Sequence, residues 1–191
     1  NLTLKIINWL LHIAAAVAVY LLAIELTKSK KASFAAAIAY SVSYEHIARI
    51  MLHGRLMDSL MYILLPLLLL IAEKYLKGKI SRTTATTGLS LTAAAIFLNS
   101  PGDGVFLLIP AAIYSALRFL QLKQPQMKIT VLKTAAVIGM LVVVLTSFWT
   151  VPFIVEKVSF NAGARVGELT SVRFSPGILK EVASFPGQRG I

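Results

Sequence analysis

An apolar run that ends abruptly in lysines constrains the fold of this chain more than any other feature. Residues 59–72 contain no charged side chain, and only Pro66 interrupts the run. Three lysines follow within seven positions: Lys74, Lys77 and Lys79. An apolar run that ends in cations is typical of a membrane span with its basic end on the cytoplasmic side. We therefore expect a span over residues 59–75, capped at its N-terminus by Asp58 and kinked at Pro66.

The composition extends this expectation to most of the chain. Hydrophobic residues make up 57% of the 191 residues and occur in long blocks, against about 45–50% in an average soluble domain. The formal net charge of +11 fits basic loops beside anionic lipid headgroups better than nucleic-acid binding, which we do not expect. The chain has no cysteine, which excludes disulfides, thiolate metal sites and cysteine nucleophiles.

The apolar blocks predict an all-α fold, a polytopic transmembrane helix bundle of about six spans. The expected spans are residues 6–27, 34–52, 59–75, 83–98, 105–120 and 131–153. The second span crosses only if its Ala-rich helix continues through Glu45 and His46 to Leu52, and a re-entrant hairpin is the alternative. The fourth span is rich in Thr, Ala and Gly, which favours a position inside the bundle. A tight turn is expected over residues 99–104.

The distribution of Lys and Arg predicts the orientation of the bundle. Eleven of these residues fall on one side of the expected spans, whereas the short segments on the other side hold three. The positive-inside rule then places the N-terminus and the tail, residues 157–191, outside the cytoplasm. We expect residues 1–156 to form the bundle, the tail to begin a further segment, and the chain to be part of a longer protein.

Two acidic residues at the basic ends of spans have lysine neighbours at helical spacing. Glu25 precedes Lys28 by three residues, and Glu73 precedes Lys77 by four. Both spacings bring side chains together on one face of a helix, so we expect two ion pairs.

The candidate chemistry is concentrated before the third span. His46, Arg49 and His53 share one helical face, and Arg55 follows them. Arginine and histidine beside a membrane suit a lipid-linked phosphate. Beside that phosphate we expect Asp58 or Asp103 to help with a divalent metal or an acceptor. A solvated loop with capping residues remains the alternative to either site.

A weaker motif lies at the start of the chain, and several familiar motifs are absent. Asn1-Leu2-Thr3 fits an N-glycosylation sequon on the outer side. The sequence contains no P-loop, no GxGxxG after a strand, no GxSxG and no HExxH.

The order of short phrases along the chain resembles a known superfamily. A first span is followed by KSKKASFAAAIAYSVSY, then EHIARIMLHGRLMDSLMYILLPLLLLIAEKYLKGK, LNSPGDG and FWTVPFIVE. This order, over about residues 5–156, is similar to the central part of large prokaryotic membrane proteins of the GT-C glycosyltransferase superfamily. The resemblance implies sugar transfer from a polyprenyl-phosphate carrier at the extracytoplasmic face of a prokaryotic cell membrane.

The resemblance transfers few residues to this sequence. The catalytic acid of that superfamily usually lies in the first outer loop, which would precede Asn1. Where the superfamily often has a histidine after the fourth span, this chain has Asn99-Ser100-Pro101. The resemblance therefore implies only the Gly54-Arg55 loop and Asp103 as neighbours of a donor phosphate or metal. The alternatives are a non-catalytic membrane subunit that scaffolds a larger complex with other subunits, and a transporter. The sugar, the acceptor and the oligomeric state are left open.

Overall fold

The computed structural model describes residues 2–47, 56–99 and 101–167. Within these ranges every regular element is an α-helix, which confirms the all-α prediction. The helices are α1 (Leu2–Thr27), α2 (Lys30–Ser41), α3 (Tyr44–Ile47), α4 (Leu56–Leu76), α5 (Arg82–Asn99), α6 (Pro101–Leu120) and α7 (Pro125–Gly167).

The chain divides into two compact units. The first, Asn1–Phe148, contains the first six helices and the N-terminal part of α7. The second, Trp149–Ile191, is described only up to Gly167, as the remainder of α7. In the second unit the rings of Trp149 and Phe153 stack with centroids 5.0 Å apart. The helix contacts, the ion cluster and the cavity described below belong to the first unit.

A short polar turn reverses the chain between α1 and α2. Lys28 adopts a left-handed backbone conformation, with φ of 60°, which ends α1 sharply. Ser29 follows as the N-cap of α2, and its hydroxyl accepts a hydrogen bond from the Ala32 amide at 3.3 Å. The two helices pack against each other, and α1 also packs against α4. The left-handed conformation of Lys28 and the N-cap at Ser29 together allow α2 to pack back against α1.

The apolar core of the first unit joins α4, α5 and α6. Leu68, Ala93, Ile96 and Ala111 are buried together there. Helix α5 corresponds to the fourth expected span, whose small residues predicted a position inside the bundle. This position is confirmed by the buried residues of α5: Ala85, Ser90, Thr92, Ala93, Ala94 and Ile96.

Gly104 allows α5 and α6 to approach closely. A Cβ atom at this position would lie 2.9 Å from the carbonyl oxygen of Ile96 and 3.2 Å from the Cα of Phe97. A methyl group does not fit against rigid backbone at these distances. The glycine is therefore required by packing between the two helices.

Three helical segments are long and apolar enough to cross a membrane, fewer than the six that the sequence predicted. They are Lys5–Thr27, Ser59–Leu76 and Pro125–Glu156. Among the described residues α2 falls short in length, with 12 residues. Helix α5 has the length but carries four threonines in its first turns, and α6 contributes only the shorter apolar stretch Phe106–Leu120.

Several helix boundaries differ from those predicted. Helix α2 ends at Ser41 with Val42 as its C-cap, so one continuous helix over residues 34–52 does not form. Val42 and Ser43 are both weak helix formers, and the Ser43 amide bonds back to the Tyr40 carbonyl in a tight turn. Asp58 lies inside α4 and is not its N-cap. The predicted turn over residues 99–104 is much shorter, since Pro101 already begins α6, a position that suits proline.

Large apolar side chains cover the outside of α1. Trp9, Leu10 and Ile13 are each more than half exposed, and other exposed apolar residues continue the same helix. A soluble monomer rarely exposes so much apolar surface. This surface is suited to lipid or to another apolar partner.

Candidate functional site

A buried carboxylate near the end of α4 organises one end of the first unit. The side chain of Glu73 is fully buried. Its Oε2 accepts hydrogen bonds from Tyr114 Oη at 2.8 Å and Arg118 Nε at 3.0 Å. Its Oε1 accepts from Arg118 Nη2 and lies 3.0 Å from Lys77 Nζ. Each oxygen has two partners, so the buried charge is compensated.

A second carboxylate, Glu25 at the end of α1, joins the same cluster. Its Oε1 lies 2.9 Å from Lys28 Nζ, 3.0 Å from Lys77 Nζ and 2.7 Å from Lys79 Nζ. Lys77 also donates to the backbone carbonyl of Glu25 at 2.6 Å. The lysine thereby bridges the two carboxylates and ties α1 to α4. We call this cluster the ion network: Glu25, Lys28, Glu73, Lys77, Lys79, Tyr114 and Arg118.

Both ion pairs predicted from helical spacing are present in the ion network. Glu25 pairs with Lys28 at 2.9 Å, and Glu73 pairs with Lys77 at 3.0 Å. The contacts between different helices, above all that of Glu73 with Arg118, were not predicted. One signal could have indicated them: an acidic residue in an apolar helix must find a buried partner, and Arg118 is the cation closing the fifth expected span.

Lys77 and Lys79 of the ion network hold their protons tightly. Burial alone would lower the pKa of Lys77, but its hydrogen bonds with Glu25 and Glu73 outweigh burial and raise that pKa. Hydrogen bonds with Glu25 likewise raise the pKa of Lys79. A general acid or base works best with a pKa near the ambient pH. The ion network is therefore suited to bracing helices rather than to proton transfer.

The ion network also fixes the relative direction of α4 and α6. Glu73 and Arg118 meet near the C-terminal ends of their helices. Further from those ends, Leu68 and Ala111 share the apolar core. Going from Glu73 to Leu68 in α4 and from Arg118 to Ala111 in α6 leads toward the N-terminus in both helices, so α4 and α6 run parallel. Their C-terminal ends form what we call the lysine-rich end of the first unit, and their N-termini lie at the opposite end.

This parallel arrangement places two of the predicted site residues at one level. Asp58 precedes Glu73 by fifteen residues, and Asp103 precedes Arg118 by fifteen. At 1.5 Å per residue, the backbones of both aspartates lie about 22 Å from the ion network, at the opposite end. The backbones of two aspartates that are 45 positions apart in sequence therefore belong to the same end of the bundle, and their side chains are not described.

The remaining predicted site residues lie largely outside the described residues. Arg49, His53, Arg55 and Asn1 are not described. His46 belongs to α3, a four-residue helix that packs beside α2, and its side chain is not described. The lipid-phosphate site and the glycosylation of Asn1 therefore stay predictions. Within the described ranges, no group of three or more His, Asp or Glu residues is placed to hold a metal ion.

An apolar cavity lies between α4, α5, α6 and α7, toward the lysine-rich end. Its volume is about 380 Å³, and its walls include Leu68, Ala93, Leu108 and Ile138. Two hydroxyls at its edge, Tyr75 Oη and Thr134 Oγ1, lie 2.9 Å apart and link α4 to α7. The volume falls in the range of small-molecule pockets.

No protein-family model, curated protein or solved structure matches this chain.

Proposed function

We propose that this chain is part of an integral membrane protein that handles a lipid-phosphate-linked substrate at the end of the bundle opposite the lysine-rich end. Three helical segments long and apolar enough to cross a membrane support the membrane location. Helices α5 and α6 pack against α4 and, in this proposal, cross the membrane with it. They have 18 and 20 residues.

One observation carries the site assignment: the parallel α4 and α6 bring Asp58 and Asp103 to the same end. Residues 48–55, with Arg49, His53 and Arg55, directly precede α4 in the chain. Arginine binds phosphate through two parallel hydrogen bonds, and carboxylates suit a metal ion or a hydroxyl acceptor. In contrast, both acids of the lysine-rich end are committed to the ion network.

The reaction that fits this set of groups is sugar transfer from a polyprenyl-phosphate carrier, as in the GT-C superfamily. Arg49 and Arg55, assisted by His46 and His53, hold the phosphate, and Asp58 and Asp103 serve the metal or the acceptor. The basic residues of the lysine-rich end orient it toward the cytoplasm, so the substrate end is extracytoplasmic.

The test is binding of a polyprenyl phosphate to the reconstituted full-length protein, with the variants Arg49→Ala and Arg55→Ala. Arg82→Ala is the matched control, because Arg82 is an exposed arginine at the lysine-rich end. We expect at least about tenfold weaker binding for either loop variant, the loss of about 1.4 kcal/mol or more that one charge-assisted contact provides. Unchanged binding in both loop variants would instead favour a non-catalytic scaffolding subunit.

A further inference from the structure

The apolar cavity between α4, α5, α6 and α7 has little to offer a polar ligand. Thr134 Oγ1 donates to the Thr130 carbonyl at 2.8 Å, so in its contact with Tyr75 it acts as the acceptor. The hydroxyls of Tyr75 and Thr134 thereby satisfy each other at the edge of the cavity. The remaining walls are mostly aliphatic, and such a cavity does not hold ordered water. An apolar ligand suits it best.

The cavity opens toward the surroundings of the bundle. Ala112, Ala135 and Gly139 line it and are nevertheless exposed. A Cβ atom at Gly139 would meet no atom within 4 Å, so free space adjoins this side of α7. For helices that lie in a membrane, the medium at such an opening consists of lipid chains.

The charge around the cavity favours one class of lipid. From Glu73 to Arg82 there are four cations and one acid, and from Arg118 to Lys133 there are four cations and no acid. Glu73, that one acid, and Glu25 at the end of α1 partly neutralise Lys77, Lys79 and Arg118 within the ion network. The other five cations of the two stretches still outnumber these two acids. Leu76 and Ser115 line the cavity; Leu76 directly precedes Lys77, and Ser115 lies three positions before Arg118. A headgroup would lie beyond these residues, at the lysine-rich end. Each lysine or arginine near a membrane surface favours an anionic headgroup by about fivefold.

We propose that this cavity binds one acyl chain of an anionic phospholipid whose phosphate headgroup lies among the cations of the lysine-rich end. The lipid fills the space between α7 and the α4–α5–α6 core. The site is separate from the polyprenyl-phosphate site proposed above, which lies at the opposite end and involves other residues.

The test counts lipids that stay bound to the full-length protein when it is released from nanodiscs for native mass spectrometry. The nanodiscs contain equal amounts of phosphatidylglycerol and phosphatidylcholine, which have similar acyl chains but differ in net charge. We expect the wild type to retain one phosphatidylglycerol, at least about fivefold more often than phosphatidylcholine. Equal retention of the two lipids, or retention of neither, would overturn the proposal.

Two variants on α7 separate the cavity from the rest of the lipid-facing surface. Gly139→Leu adds a large side chain at a residue that lines the cavity and replaces a residue that disfavours helix, so the fold is expected to persist. Ala136→Leu adds a larger side chain at an exposed position that does not line the cavity. We expect at least tenfold less retained phosphatidylglycerol for Gly139→Leu and no change for Ala136→Leu. Equal retention in Gly139→Leu and wild type would contradict the proposal while leaving polyprenyl-phosphate binding at the other end untouched.

Discussion

Glu73 in α4 and Arg118 in α6 form a two-point ion pair across 45 residues of sequence. Arg118 Nε lies 3.0 Å from Oε2 of the carboxylate, and Nη2 binds the other oxygen. The carboxylate is fully buried, whereas the arginine remains partly exposed. The pair therefore holds the two helices parallel. Because water does not reach the Glu73 carboxylate, its negative charge depends on Arg118 for compensation, and the stability of the bundle depends on that contact.

Replacing Arg118 should destabilise the protein strongly. Arg118→Ala leaves Glu73 with only Tyr114 and Lys77 as partners, and breaking a buried ion pair costs about 3–5 kcal/mol. We expect a loss of about 3 kcal/mol in the free energy of unfolding, measured in mixed detergent micelles, because Lys77 retains part of the compensation. Arg82→Ala, at an exposed arginine, should change it by less than about 0.5 kcal/mol.

A double variant distinguishes the cost of the unpaired carboxylate from the value of the pair. Glu73→Leu combined with Arg118→Leu removes both charges from the interior, so it should be less destabilising than Arg118→Ala alone. Equal losses in Arg118→Ala and Arg82→Ala would show that Glu73 is not buried against Arg118.

Two glycines on neighbouring helices should respond oppositely to the same substitution. Gly104→Ala forces a methyl group to within 2.9 Å of the Ile96 carbonyl oxygen, so α5 and α6 must separate. Such overpacking costs about 1–3 kcal/mol. Gly139→Ala meets no atom within 4 Å and should gain up to about 1 kcal/mol from helix propensity. Thermal unfolding of the two variants measures the difference, and a stabilising Gly104→Ala would disprove the close approach.

Two lysines of the ion network, Lys77 and Lys79, predict how stability changes with pH. The pKa values of Lys77 and Lys79 are raised on folding. A raised pKa gives stability that is fully present below the unfolded-state value, about 10.4 for lysine, and is lost as the pH rises through the folded-state value. We therefore expect no loss from these groups between about pH 7 and pH 10, and a loss above that. Unfolding measured across this range checks the sign.

The variant Lys77→Met provides the control for the pH series. It lacks the bridging ammonium, so part of the loss above about pH 10.4 should disappear. A rise in wild-type stability between about pH 8 and pH 10 that is absent from Lys77→Met would mean that the pKa of this lysine is lowered, not raised.

Local patterns in the sequence predicted the contacts within helices and missed those between helices. The spacing of Glu25 with Lys28 and of Glu73 with Lys77 depends only on helix geometry, and both pairs form. The partnership of Glu73 with Arg118 depends on how α4 and α6 are arranged, which a spacing of 45 residues does not encode. Gly104 was interpreted as part of a turn because proline and glycine break helices, yet its role is to let two helices touch.

Local sequence patterns also failed to predict the number of membrane spans. The alanine-rich segment after Phe34 was long enough to cross only as one helix through Glu45 and His46, but Val42 and Ser43 end α2 after 12 residues. Aspartate favours the N-cap position of a helix, and Asp58 was predicted to be the N-cap of α4. It lies inside α4 instead, because the good helix formers Leu56 and Met57 precede it. The predicted phosphate-binding residues fall mostly outside the described residues, so that part of the site stays a prediction.

The most direct test of the account is the sidedness of α6. The chain contains no native cysteine, so single cysteines can be introduced at Ser100, which precedes α6, and at Lys123, which follows it. We expect a membrane-impermeant maleimide to label Ser100→Cys from the extracytoplasmic side only and Lys123→Cys from the cytoplasmic side only. Labelling of both cysteines from the same side would contradict it, because the lysine-rich end and the proposed substrate end would then face the same compartment.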